Sequence, residues 1–183
     1  MMLVVLLGMV ILTSASIAIA AEPLRGESKK TVPSSIPLSG EEPYAALRRG
    51  DFRVAAALFV PLAEKGDDRA QYNLGLLYAS GLGVTHSYQS ALKWHRLAAG
   101  QGHAGAQNAL AQMYAKGQGV PVDSVRAHMW YSVAIESSMA GSKDELMKDR
   151  DNLASRMAPA QIKKAEELAQ QCLESNFKKC GEK

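Results

Sequence analysis

Residues 70–102, AQYNLGLLYASGLGVTHSYQSALKWHRLAAGQG, align without a gap on residues 106–138, AQNALAQMYAKGQGVPVDSVRAHMWYSVAIESS, at an offset of 36. Under that offset Gln71 falls on Gln107, Leu74 on Leu110, Tyr78 on Tyr114, Gly81 on Gly117 and Gly83 on Gly119. Val84 likewise falls on Val120, Ala91 on Ala127, Trp94 on Trp130 and Ala98 on Ala134. So many matches at one spacing mark an internal repeat, and a period of this size is the signature of stacked supersecondary units.

Each unit reads as two helices. Ala70, Leu74, Leu77 and Tyr78 form one apolar stripe at helical spacing, and Ala91, Trp94 and Ala98 form a second. Gly81 and Gly117 sit where the first helix needs a left-handed C-terminal residue. Ser87 and Asp123, again one period apart, are N-caps whose side-chain oxygens accept from otherwise unpaired backbone N–H groups. The alanines allow close helix approach, and Tyr78, Tyr114, Trp94 and Trp130 fill the gaps. Carried backwards, the period sets Ala91 on Ala55, Ala99 on Ala63 and Gly102 on Gly66. Residues 44–69 are therefore a divergent first repeat with Gly50-Asp51 as a shorter turn. Pro61 falls within its second helix, where it costs about 3 kcal/mol or a kink. Carried forwards, residues 144–156 and 159–175 read as two more helices, the latter opened by Pro159 and lined by Ile162, Ala165, Ala169 and Leu173. The chain divides into units 44–69, 70–105 and 106–141, capping helices over 142–175 and a tail over 176–183. Three helix pairs and a capping pair make an all-α stack.

Further out, residues 1–21 carry no charged side chain and run as an apolar stretch broken by Gly8, then polar Thr13, Ser14 and Ser16, then small Ala18, Ala20 and Ala21. That order predicts a secretory signal peptide cleaved after Ala20 or Ala21, and hence a periplasmic or secreted protein. No Lys or Arg precedes the apolar run, so the competing expectation is an uncleaved anchor of about 20 residues. Only in that case is a membrane involved. Residues 22–43, EPLRGESKKTVPSSIPLSGEEP, hold four prolines and no aromatic residue and read as a disordered spacer. With 21 basic and 18 acidic residues the formal charge is +3, too mild and too scattered for nucleic acid.

The pattern A-x-x-x-L-G-x-x-Y-x-x-G-x-G-V, followed by A-x-x-W-x-x-x-A-A-x-x-G, resembles the Sel-one-like repeat family, a relative of the tetratricopeptide repeat. Ala70, Leu74, Gly75, Tyr78, Gly81, Gly83, Val84, Ala91, Trp94, Ala98, Ala99 and Gly102 carry the resemblance. The second copy departs at Ala111, Ile135 and Ser138, and residues 157–171, MAPAQIKKAEELAQQ, are similar to the closing helix of bacterial members. The resemblance implies a right-handed superhelical α-solenoid whose concave face, lined by first helices, holds a protein or peptide. Exported members look like adaptors or regulators, some acting on envelope signalling receptors. On that geometry the outward positions of the first helices are Arg69, Tyr72 and Leu76 in one unit and Asn108, Gln112 and Lys116 in the next. These six are the expected partner-binding residues, against the plainer expectation that they are ordinary solvated positions.

Little in the chain suggests chemistry. His86, His95, His103 and His128 occupy four different repeat positions, equivalent to Val122, Tyr131, Met139 and Leu92, without metal-ligand spacing. Ser90 to Lys93 and Ser175 to Lys178 spell S-x-x-K without the companion motifs of penicillin-binding enzymes. Gly100, Gly102 and Gly105 spell G-x-G-x-x-G after a helix rather than a strand, as turn glycines. We expect no catalytic residue, metal, cofactor or small-molecule substrate. The alternative is a cell-wall or β-lactam hydrolase, because some cysteine-rich relatives with a Cys pair in each repeat are described as β-lactamase-like. Cys172 and Cys180 are the only cysteines, and they stand as a disulfide or as two free thiols. On one continuous helix they would be about 12 Å apart, beyond the roughly 7 Å that a bridge spans. A bridge, the outcome we expect, requires the helix to end near Asn176 and the tail to fold back.

Overall fold

The computed structural model describes residues 42–180. The signal peptide expected at 1–21, nearly all of the spacer and the last three residues lie outside that range. Eight α-helices follow in order: α1 Pro43–Arg49, α2 Phe52–Glu64, α3 Asp68–Ser80, α4 Tyr88–Ala99, α5 Ala104–Lys116, α6 Ser124–Ser137, α7 Lys143–Ala154 and α8 Pro159–Glu174, with one 3-10 turn at Ala140–Ser142. No strand occurs among the described residues. The architecture is an α-solenoid of stacked helix pairs.

The helix ends follow local chemistry. Gly81 and Gly117 close α3 and α5 at φ +67° and +70°. Ser87 Oγ accepts from the Ser90 amide at 3.1 Å and Asp123 Oδ1 from the Arg126 amide at 2.9 Å, opening α4 and α6. Two first helices begin a little earlier than the 36-residue units were cut: Asp67 caps α3 through the Ala70 amide at 2.7 Å, and His103 Nδ1 caps α5 through the Ala106 amide at 3.2 Å. Pro61 stays inside α2, which runs through to Glu64.

At the C-terminal end the two capping helices do not form a separate hairpin: α7 and α8 both pack on α6. The reason lies in the faces on offer. Only Leu146 and Leu153 of α7 are buried, so it presents no continuous apolar stripe, whereas α6 is buried at His128, Met129, Trp130, Tyr131, Val133, Ala134 and Ile135. The stripe Ala165, Ala169 and Cys172 of α8 settles on that helix. Beyond Glu174 the chain turns through Asn176 and Phe177 at φ +50° and +64°, and a disulfide joins Cys172 to Cys180 with Cα atoms 4.4 Å apart. Phe177 is thereby set against Gly102, where an added Cβ would lie 2.8 Å from its ring.

One contact recurs from repeat to repeat, and the contact beside it does not. Gln71 Nε2 donates to the Ala63 carbonyl at 3.0 Å and Gln107 Nε2 to the Ala99 carbonyl at 3.4 Å, each tying a first helix to the end of the preceding second helix. In the earlier copy Gln101 Nε2 donates to Gln71 Oε1 at 2.8 Å. One period on, the residue in the place of Gln101 is Ser137, whose hydroxyl is too short to reach. Gln107 Oε1 and Ser137 Oγ are both buried without a partner among the described residues. An unmade buried hydrogen bond costs on the order of 1 kcal/mol or more, so Ser137→Gln is expected to raise stability by about 1 kcal/mol. A thermal unfolding midpoint that stays put or falls in this variant would refute the assignment.

Candidate interaction cleft

The grooves between successive first helices differ for reasons traceable to four positions per repeat. In the first copy Gly75 lacks a side chain, and the His95 ring lies directly over it: an added Cβ would be 2.5 Å from His95 Cε1. Tyr72 then closes the groove, its ring stacked on His103 at 4.5 Å and 5.7 Å from His95. His95 is 1% exposed, and burial, followed by the neighbouring His103, lowers its pKa to about 4. The groove between α3 and α5 is thus plugged by rings.

One period on, the four equivalents are Asn108, Ala111, Tyr131 and Met139. The Ala111 methyl occupies the space that Gly75 leaves, and Asn108 and Met139 supply no ring to close the gap; Met139 instead stands 88% exposed. The result is a cleft of about 530 Å³ between α5 and α7, with α6 as its floor. Gln112, Ala115 and Lys116 come from α5, Ser124 and Tyr131 from α6, and Asp149, Asn152, Leu153 and Arg156 from α7 and its end. Burial first, and then Asp149, raise the Tyr131 pKa to about 12, so its phenol stays protonated near neutral pH as donor and acceptor.

The six partner-binding residues expected from the sequence are not brought to one place. Gln112 and Lys116 line the cleft. Asn108 lies one turn before Gln112, with its Oδ1 buried and unpartnered among the described residues. Leu76 is exposed at 39%. Arg69 lies at the other end of the stack with its guanidinium 5.3 Å from the centre of the Tyr44 ring, and Tyr72 packs one repeat against the next. Sequence reading missed Tyr131, Asp149, Asn152 and Arg156. One of them was within reach of the period, since Asn152 stands 36 residues after Lys116. The hydrolase motif at Ser175 is occupied structurally: its hydroxyl donates to the Cys172 carbonyl at 2.9 Å and accepts from the Lys179 amide at 2.9 Å.

The fold is that of a helical-repeat scaffold. The family model of the Sel1 repeat matches residues 68–103 and 104–138, so the chain carries two Sel1 repeats. Among solved structures it is similar to a protective antigen present in uropathogenic Escherichia coli strains that displays an SLR fold, at 28% identity and a TM-score of 0.65, over 74% of this chain and 30% of that one. A Sel1 repeat protein from Oxalobacter formigenes is 34% identical over 54% of this chain and 32% of its own, with a TM-score of 0.49. The chain thus spans about a third of the length of the solved structures it matches. A search of the curated proteins finds no match. Sel1 repeat proteins are generally protein-interaction modules, and their fold is typically a non-catalytic scaffold.

Proposed function

We propose that the protein is an exported adaptor or regulator that holds a segment of a partner protein in the cleft between α5 and α7 on its concave face. The observation that carries this reading is the contrast between two equivalent grooves, one sealed by Tyr72, His95 and His103, the other open and lined by polar side chains together with Ala115, Val122 and Leu153. A solenoid that needed the groove only for packing would close both. Export is supported by the apolar, cleavage-like run over 1–21 and by the Cys172–Cys180 bridge, which suits an oxidising compartment such as the periplasm. An envelope signalling receptor is one partner class that compartment would offer.

The test is in-cell crosslinking from a photoreactive residue placed at Gln112, with the same residue at Leu97, 45% exposed on α4, as the control position. One set of products from Gln112, absent from Leu97 and identified by mass spectrometry, is the expected result. Identical products from both positions, or none from Gln112, would overturn the reading.

A further inference from the structure

The cleft is polarised along its length, and the ends can be assigned from helix register. Lys116 is the last residue of α5 and Ser124 the first of α6, and the two helices form an antiparallel hairpin, so both mark the same end. Arg156 lies just past the C-terminus of α7 and joins them in the lining. Asp149 lies seven residues before Arg156, about 10 Å back along the helix, beside Tyr131, whose phenol it perturbs. Among the described residues none of Lys116, Arg156 and Asp149 is in an ion pair. Two cations thus share one end of the cleft with no anion between them, and a lone carboxylate marks the other. Between the ends, Gln112 and Ala115 of α5 and Asn152 and Leu153 of α7 line opposite walls.

Each part of this arrangement has a matching ligand group. Paired cations favour a carboxylate, to which charge-assisted hydrogen bonds are the strong ones. A lone Asp beside a neutral phenol favours an ammonium or guanidinium. Carboxamides on both walls present donors and acceptors to a peptide backbone, and Ala115 and Leu153 on the same walls accept a small apolar side chain. The volume, about 530 Å³, lies within the range of ligand sites and suits a few residues rather than a whole helix. A span of about 10 Å is covered by three residues of extended chain at roughly 3.3 Å each.

We infer that the cleft takes an extended peptide segment bearing one acidic and one basic side chain about three residues apart, the acidic one held by Lys116 and Arg156 and the basic one by Asp149. This deepens the proposed function and rests on it, since it names the ligand class of the same cleft.

The probes are capped, fluorescein-labelled peptides GEAAKG and GKAAEG, their singly charged forms with Gln in place of Glu or Lys, and the neutral form GQAAQG, titrated into the full chain by fluorescence anisotropy at low salt. Both orders are needed because either chain direction satisfies the charges. One doubly charged peptide is expected to bind about tenfold tighter than either singly charged form, the size of one charge-assisted contact. Lys116→Ala with Arg156→Ala should erase the preference for Glu over Gln and keep the preference for Lys. Asp149→Asn should do the reverse, and unchanged thermal midpoints would exclude unfolding as the cause. Equal affinity for the neutral peptide, no binding by either doubly charged peptide, or preferences insensitive to these variants would overturn the inference. A partner captured at Gln112 in the crosslinking experiment, alongside any of those results, would leave the broader reading standing and remove only the charge assignment.

Discussion

Gly119→Ala is expected to lower the unfolding free energy by about 3 kcal/mol or more, and Gly83→Ala by at least as much. Both residues sit in the loop joining a first helix to its second, at φ +75° and +71°, a region costing a side-chain-bearing residue on the order of 1–2 kcal/mol. Conformation alone understates the loss. A Cβ on Gly119 would lie 2.8 Å from the backbone carbon and oxygen of Tyr88, the first residue of α4, and a Cβ on Gly83 would meet the carbonyl of Phe52, the first residue of α2. The obstacle in each case is backbone at a helix start, which cannot rotate aside as a side chain can. Two successive repeats must separate to admit one methyl group, and the loss falls on the seam of the stack. Against a domain stability of roughly 5–15 kcal/mol this is a large fraction. Urea unfolding followed by helical circular dichroism measures it, with Gly141→Ala as control, because nothing lies within 4 Å of a Cβ there. A loss below about 1 kcal/mol in both variants would mean that the seam yields easily.

Acidification is expected to cost the fold about 3 kcal/mol through His95 alone. Its folded pKa is lowered from 6.5 to about 4, first by burial and then by His103. Between those two values the unfolded chain holds a proton on this imidazole and the folded chain does not. The stabilisation is therefore complete above pH 6.5, declines as pH falls, and is gone below about 4. His128, lowered first by burial and then by Arg150, adds a loss of the same sign, which Glu166 and Asp151 oppose. Unfolding midpoints measured from pH 7 to pH 4 should fall steeply in the natural chain and less steeply in His95→Gln. Parallel curves would show that the His95 ring accepts a proton in place, contrary to its packing over Gly75 beneath Tyr72.

What could be read in advance depended on which residues repeat. The glycines at 81 and 117 and the caps Ser87 and Asp123 do local work, so their role was legible wherever the period placed them. Gly83 and Gly119 show in the period only as matched glycines, which leaves out their contact with the repeat before. Tyr72 was expected on a free surface because it lies outside the apolar stripe of α3, but the stack turns that position toward His103. The cleft itself was written in the contrast between Tyr72, Gly75, His95 and His103 and their equivalents Asn108, Ala111, Tyr131 and Met139. Reading that contrast required knowing that four positions scattered through a repeat meet in one groove.

The amino-acid sequence by itself determined the period, the helix pairs, their caps and the stacked architecture, because each follows from spacing and local backbone chemistry within one unit. Tertiary structure alone decided that α8 docks on α6, that the tail folds back to join Cys172 and Cys180, and that one groove is sealed while the next is open. Those outcomes turn on which of several faces buries the most apolar surface and on whether a ring or a methyl fills a shared space. Both are properties of neighbouring elements taken together, and no single repeat carries them.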